Sequence, residues 1–176
     1  MRLMLLTAGT RGDVEPFVAL ARHAAARGHE VRLALPDDAV VPAGVDAVAI
    51  GLDARRMLSP AGRAPWALLR HVRAEVRPAM RRMLAVAVRE TLAFDPDVVV
   101  HHPLVLSAPM VADALGVPRV LAELAPVATP SARFPAAGGP TATRDLGARN
   151  RSTYAVPRAA ARLFDADVAR AAAELP

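Results

Sequence analysis

The chain contains neither cysteine nor lysine, and aromatic residues make up only 3% of it. Without cysteine there is no disulfide framework, no thiol nucleophile and no thiolate-bound metal. Nothing in the chain calls for an oxidising compartment. Without lysine, all 22 basic residues are arginine, set against 17 acids for a formal net charge of +5. These arginines are scattered among the acids and lack neighbouring aromatic stacking residues. They read as the bias of a GC-rich genome, not as a nucleic-acid footprint. Long apolar runs are missing too: none reaches the roughly 18 residues of a membrane helix. The unbroken apolar run in the opening "MRLMLLTAG", Leu3–Leu6, is shorter than the apolar core of a signal peptide, about 7–15 residues. The expectation is therefore a cytoplasmic protein with no membrane span and no nucleic-acid partner. The sequon at Asn150 ("NRS") is then a chance match.

What is present is an alternation of two periods. At 176 residues the chain suits one domain with a sizeable core. Arg2–Thr7 is a continuous apolar run, as expected of a strand covered on both faces. Val14–Arg27 places Val14, Phe17, Val18, Leu20, Ala21 and Ala24 at helical spacing, and Gly28 ends that helix. Val31–Leu35 and Val45–Ile50 read as strands, the second after the turn "PAG". Trp66–Val76 and Ala79–Phe94 read as two helical pieces separated near Pro78, since proline sits comfortably only in a first turn. Val98–His102 is a fourth strand, Ser107–Leu115 a helix closed by Gly116, and a fifth strand lies near Val120. After Leu124 a long loop rich in Pro, Gly, Ser and Thr follows. A final helix, about Arg158–Ala173, puts Ala160, Phe164, Val168, Ala171 and Leu175 on one face.

This pattern predicts an α/β fold, a Rossmann-like parallel sheet flanked by helices. In such sheets ligands bind beyond the carboxyl ends of the strands, where the strand order reverses. Thr7–Asp13, His101–Pro103 and Glu123–Pro135 all follow strands and are expected to gather at that edge.

The first of these segments, "TAGTRGDVEP", carries the chemistry. Gly9 and Gly12 permit a tight turn, Asp13 and Glu15 suit the positive end of a helix dipole, and Thr10 or Asp13 fits an N-cap. The glycine spacing matches neither G-x-G-x-x-G nor a P-loop. A carboxylate at Asp13 would also repel a phosphate lodged there. A carboxylate at the mouth of a cleft is better suited to proton abstraction.

"TAGTRGDVEPFVALARHAAARGHEVRLALP" closely resembles the N-terminal opening of GT-B glycosyltransferases. The similarity is to the actinobacterial enzymes that decorate glycopeptide and macrolide antibiotics and to the sterol glucosyltransferase-like group. "VVVHHPLVLSAPMVADALGVPRVLAELAPVATPSARFP" is similar to the fourth strand, helix and fifth strand of the same family. The matches span most of the chain from Met1 to Pro135. The resemblance implies an inverting transfer from a nucleotide diphosphate sugar, UDP- or TDP-linked, to an acceptor hydroxyl, without a metal or other cofactor. It implies Asp13 as the general base, an alcohol losing its proton to a carboxylate within hydrogen-bond reach. Such a carboxylate needs no charge partner to be ionised near neutral pH. It places Thr10, Arg11 and Gly12 near the sugar phosphate.

Many relatives carry His at the base position and an orienting Asp after the fourth strand. Here Asp13 and His102 look exchanged, and His102 is expected to orient or polarise Asp13 unless it merely lines a polar rim. Trp66 suits an acceptor wall or the core about equally. Phe134, with Pro126, Thr129 and Pro130 around it, suits the acceptor pocket. Met57, Met80 and Met83 are expected in the core, and Asp37–Asp38 and Asp95–Asp97 in turns. His23, His29 and His71 lack metal-ligand spacing, and adjacent His101 and His102 point to opposite faces of a strand, so no metal is expected.

The resemblance further implies one acceptor-binding domain over residues 1–176, short of its last strand or two, with the C-terminal nucleotide-sugar domain absent. Such a chain alone would be inactive, with an unpaired sheet edge open to self-association. The alternative is a non-catalytic small-molecule binding or partner module on the same fold.

Overall fold

The computed structural model describes residues 1–41, 43–57, 65–138, 143–173 and 175. Five parallel strands form one sheet: β1 (Arg2–Leu6), β2 (Glu30–Leu35), β3 (Asp46–Ala49), β4 (Val98–His101) and β5 (Arg119–Leu121). Their order is β3-β2-β1-β4-β5. The chain steps outward from β1 to β3, then crosses back to lay β4 on the other side of β1. The order therefore reverses between β1 and β4, the position beyond whose strand ends parallel α/β sheets bind their ligands.

Alternation along each strand divides the core into two layers. Leu5, Leu33, Leu35 and Val100 face helix α1 (Arg11–Ala26), which buries Val14, Phe17, Val18, Ala21 and Ala24 against them. Met4, Leu6, Ala34 and Val99 face the opposite layer. That layer is built by α4 (Arg77–Phe94), α5 (Ala108–Leu115) and α8 (Asp165–Ala172), with Met80, Met83, Leu84 and Val111 buried in it. Met57 packs at its margin, so all three methionines fill core space as expected. Val99 and Val100 thus serve different layers, and His101 and His102 continue that alternation onto opposite faces.

Four expectations are corrected in detail. First, α1 starts at Arg11, not Val14, because Thr10 is its N-cap. Second, Pro78 does not divide the long helical stretch. After the short α2 (Ala54–Met57), α3 (Pro65–His71) runs through a π-helical turn (Val72–Val76) into α4 without leaving helical backbone angles. The Arg77 N–H bonds the Val72 carbonyl, five residues back. This wider turn precedes Pro78, whose ring would otherwise crowd the preceding turn.

Third, the predicted final helix is two helices, α7 (Ala155–Arg162) and α8, broken at Leu163–Phe164. Ala160 is therefore exposed, while Phe164, Val168, Ala171 and Leu175 reach the core as expected. Fourth, the loop after β5 gains a 3-10 turn (Gly147–Arg149) and helix α6 (Asn150–Thr153). Residues 139–142 of that loop, and Pro42 of the "PAG" turn, lie outside the described residues.

Asp167 fastens α8 to α4. Its buried carboxylate accepts from Arg77 Nε at 2.9 Å and Arg81 Nε at 3.0 Å. Burial alone would raise its pKa, but the two guanidinium groups outweigh this and hold it below the usual carboxylate value. The turn acids act as caps: Asp37 accepts from Gly51 N–H, Asp38 from Ala54 N–H, and Asp97 from Arg2 N–H.

Candidate functional site

The segments that follow β1 and β4 meet at the switch point between those strands. Buried Thr7 follows β1 directly, and its hydroxyl donates to the Asp13 carbonyl at 2.8 Å, tying the strand end to the first turn of α1. Pro16 lies inside α1 and has no N–H for the Gly12 carbonyl four residues back, so the first turn depends on its cap. Asp13, third residue of the helix, reaches back to the cap. Its Oδ2 accepts from the Thr10 backbone N–H at 2.7 Å and from the Thr10 hydroxyl at 3.1 Å. The Asp13 side chain remains 31% exposed, so it is open to solvent, although it lines neither of the cavities described below.

The second oxygen points toward the segment after β4. Asp13 Oδ1 lies 3.5 Å from His102 Nε2. His102 follows β4, and its N–H extends the ladder to the Leu6 carbonyl. The other ring nitrogen, Nδ1, accepts from the Leu104 N–H at 3.2 Å. A nitrogen that accepts carries no proton, so neutral His102 holds its hydrogen on Nε2, facing Asp13. Burial lowers the His102 pKa below its usual value, outweighing the upward pull of Asp13. The ring is thus a neutral donor near pH 7. His101, on the other face, is likewise lowered by burial, with Arg119 adding to the effect.

Thr10, Arg11 and Gly12 cluster at the same helix start, and Arg11 pairs with Glu15 at 3.2 Å. A cavity of about 930 Å³ flanks the outer side of α1, lined by Gly9, Thr10, Arg11 and Arg22 opposite Pro36 and Val40. A second, of about 550 Å³, lies in the loop after β5 and collects Pro126, Thr129, Pro130 and Phe134. Trp66 lines neither; it is 64% exposed on α3, with the Arg70 guanidinium 5.0 Å from its ring centroid.

Sequence reasoning missed what shapes the second cavity. The Glu123 carboxylate accepts from three successive backbone N–H groups, Val127 at 2.6 Å, Ala128, and Thr129 at 3.0 Å. Burial opposes ionisation of Glu123, but these bonds lower its pKa overall. Glutamate two residues past a strand and followed by a proline-rich loop was the available signal. Among the described residues no three His, Asp or Glu side chains converge as a metal site, and no helix is long and apolar enough to cross a membrane.

The glycosyltransferase family 28 N-terminal domain matches residues 3–132. The chain belongs to that family. It is 33% identical over 127 residues to the vancomycin aglycone glucosyltransferase of Amycolatopsis orientalis, covering 70% of this chain and 28% of that protein. A sterol 3-beta-glucosyltransferase of Arabidopsis thaliana is 29% identical over 151 residues, covering 77% of this chain and 24% of the relative. Among solved structures, the glycosyltransferase VinC in complex with dTDP aligns over 90% of this chain and 39% of its own, at TM-score 0.55 and 21% identity. The Streptomyces glycosyltransferase SsfS6 complexed with thymidine diphosphate aligns over 73% of this chain and 40% of its own, at TM-score 0.53 and 24% identity. These two likenesses establish the fold: the domain has the five-stranded parallel, Rossmann-like sheet flanked by helices of GT-B N-terminal domains. Its matches cover only 9–28% of the curated relatives' lengths.

Proposed function

We propose that this family 28 domain is the acceptor-binding half of an inverting glycosyltransferase that acts on a natural-product or sterol-like alcohol, with Asp13 as general base. The supporting observation is the hydrogen-bond order of the pair. Leu104 N–H occupies His102 Nδ1, so Nε2 donates toward Asp13 Oδ1, and the carboxylate is the member of the pair with a free lone pair. An alcohol placed at Oδ1 hands it the hydroxyl proton as its oxygen attacks the anomeric carbon. The bond from that carbon to the diphosphate oxygen breaks, and the nucleoside diphosphate leaves with the electron pair. Attack opposite the leaving group inverts the carbon. The His102 N–H steadies the carboxylate and holds the direction of its lone pairs.

The cavity in the loop after β5, bounded by Pro126, Thr129 and Phe134, is proposed to take the acceptor body. The donor is a UDP- or TDP-linked sugar, with Thr10, Arg11 and Gly12 at its phosphate end. The bulk of the donor contacts belongs to a further domain, in keeping with the share of the relatives that this chain covers.

The test is turnover by the full-length protein over a panel of nucleotide sugars and polyketide, peptide and sterol alcohols. Asp13→Asn should abolish transfer while acceptor affinity stays within about twofold of the parent. Unchanged turnover in Asp13→Asn would overturn the proposal.

A further inference from the structure

Two separate features favour glycine at position 9. Its backbone sits at φ +119°, where side chains are strained. Independently, a Cβ there would lie 2.3 Å from Asp13 Oδ2 and 2.8 Å from its carboxyl carbon. The Asp13 carboxylate is folded directly onto the Gly9 backbone. Gly12, by contrast, would meet nothing closer than the Thr10 hydroxyl at 3.8 Å.

From this geometry we infer that Gly9 and Thr10 are positioning residues that divide the two oxygens of Asp13 between separate tasks. Oδ2 is held by the Thr10 N–H and hydroxyl in a position that a Cβ at residue 9 would displace. Oδ1 is left as the oxygen that faces His102 and meets the acceptor. The assignment rests on the proposed base role, but the lock itself is a structural statement that holds with or without catalysis. A carboxylate pinned by one oxygen cannot turn to present the other. The reacting lone pair is thus fixed before the alcohol arrives, which is where orientation lowers a barrier. Glutamate at position 13 would overshoot the same cradle by one methylene.

The lock is tested by a double-mutant cycle in the full-length protein. Gly9→Ala is made with Asp13 and with Asp13→Ala, and thermal midpoints are compared. Backbone strain at position 9 is common to both arms and cancels. Gly9→Ala should lower the midpoint by clearly more when Asp13 is present, or prevent folding only then. Equal shifts in the two backgrounds would overturn the lock.

A second arm does not touch the glycine. Thr10→Val removes one donor at constant shape and should reduce kcat by about two- to tenfold, the scale of one hydrogen bond. Acceptor KM should stay unchanged, and Thr10→Ser should restore kcat. A Thr10→Val protein with parental kcat, or one that Ser does not rescue, would refute the division of roles. If Asp13→Asn retains turnover while the cycle shows coupling, the base assignment alone falls.

Discussion

Removing Asp13 should cost stability as well as activity, and the size of the cost follows from its place in the fold. The carboxylate accepts from the Thr10 N–H and hydroxyl in the first turn of α1, a helix whose Pro16 already deprives that turn of one backbone bond. Loss of a helix cap is worth about 0.5–2 kcal/mol. Loss of a negative charge from a first turn adds about 0.3–1 kcal/mol. Because the Thr10 groups are exposed, water replaces the lost partner and the lower half of these ranges applies. Asp13→Ala should therefore destabilise by about 1–1.5 kcal/mol, and Asp13→Asn, which keeps an acceptor oxygen, by about half that. For a domain of this size each kcal/mol moves the midpoint about 2–4 °C, so Asp13→Ala should melt about 2–6 °C lower. Differential scanning calorimetry of parent, Ala and Asn proteins measures this. An Ala variant as stable as the parent, or more stable, would refute the reasoning. Asp13 would then be a group held at the stability's expense, not a cap.

The remaining predictions concern the neighbours. Burial holds His101 and His102 below the usual histidine value, so the unfolded chain binds more protons than the folded one. Stability should be full above about pH 7 and should fall as pH drops through about 6.5 toward the folded values. Melting points across pH 5–8 should show this slope, flattened in His102→Gln. Asp13 pulls the His102 pKa upward, so Asp13→Asn should lower it further, read by NMR titration of the ring. Asp167→Ala strips the carboxylate shared by Arg77 and Arg81. It should cost about 1–3 kcal/mol, measured by urea unfolding, because a buried hydrogen-bonded charge is lost but both arginines can still reach water. Glu123→Ala releases three loop N–H groups and should raise acceptor KM severalfold in the full-length protein at nearly constant kcat.

The central strands β1, β2 and β4 were legible because each is a short apolar run whose carboxyl-terminal half is buried on both alternating sets of side chains, whereas β3 and β5 lie at the sheet edges with no fully buried side chain. Met4 and Leu5 serve opposite layers, yet both are fully covered. Strand–helix alternation then placed the loops after β1 and β4 at one edge, and with them the approach of Asp13 to His102. The helix boundaries were less legible. Nothing in "VRAEVRP" announces a π turn that lets Pro78 continue a helix, because that depends on which carbonyl Arg77 reaches. The break at Leu163–Phe164 is set by tertiary packing, with Phe164 turned into the core and Asp167 drawn to two arginines. Within the site, the residue types were readable but the roles of their atoms were not. The Leu104 N–H that sets the His102 tautomer is a backbone group with no sequence signature. The contact of Asp13 with Gly9 is a matter of tenths of an ångström.

The central claim is that the Asp13 carboxylate, with His102 donating to it, takes the acceptor's proton. Single-turnover rates of the full-length protein with Asp13→Asn, at saturating nucleotide sugar and acceptor, test it most directly. The account predicts a rate reduced by about 10²–10⁴-fold, the usual worth of a general base, with acceptor binding retained. A rate within about threefold of the parent, where base catalysis is worth at least about 10²-fold, would contradict it.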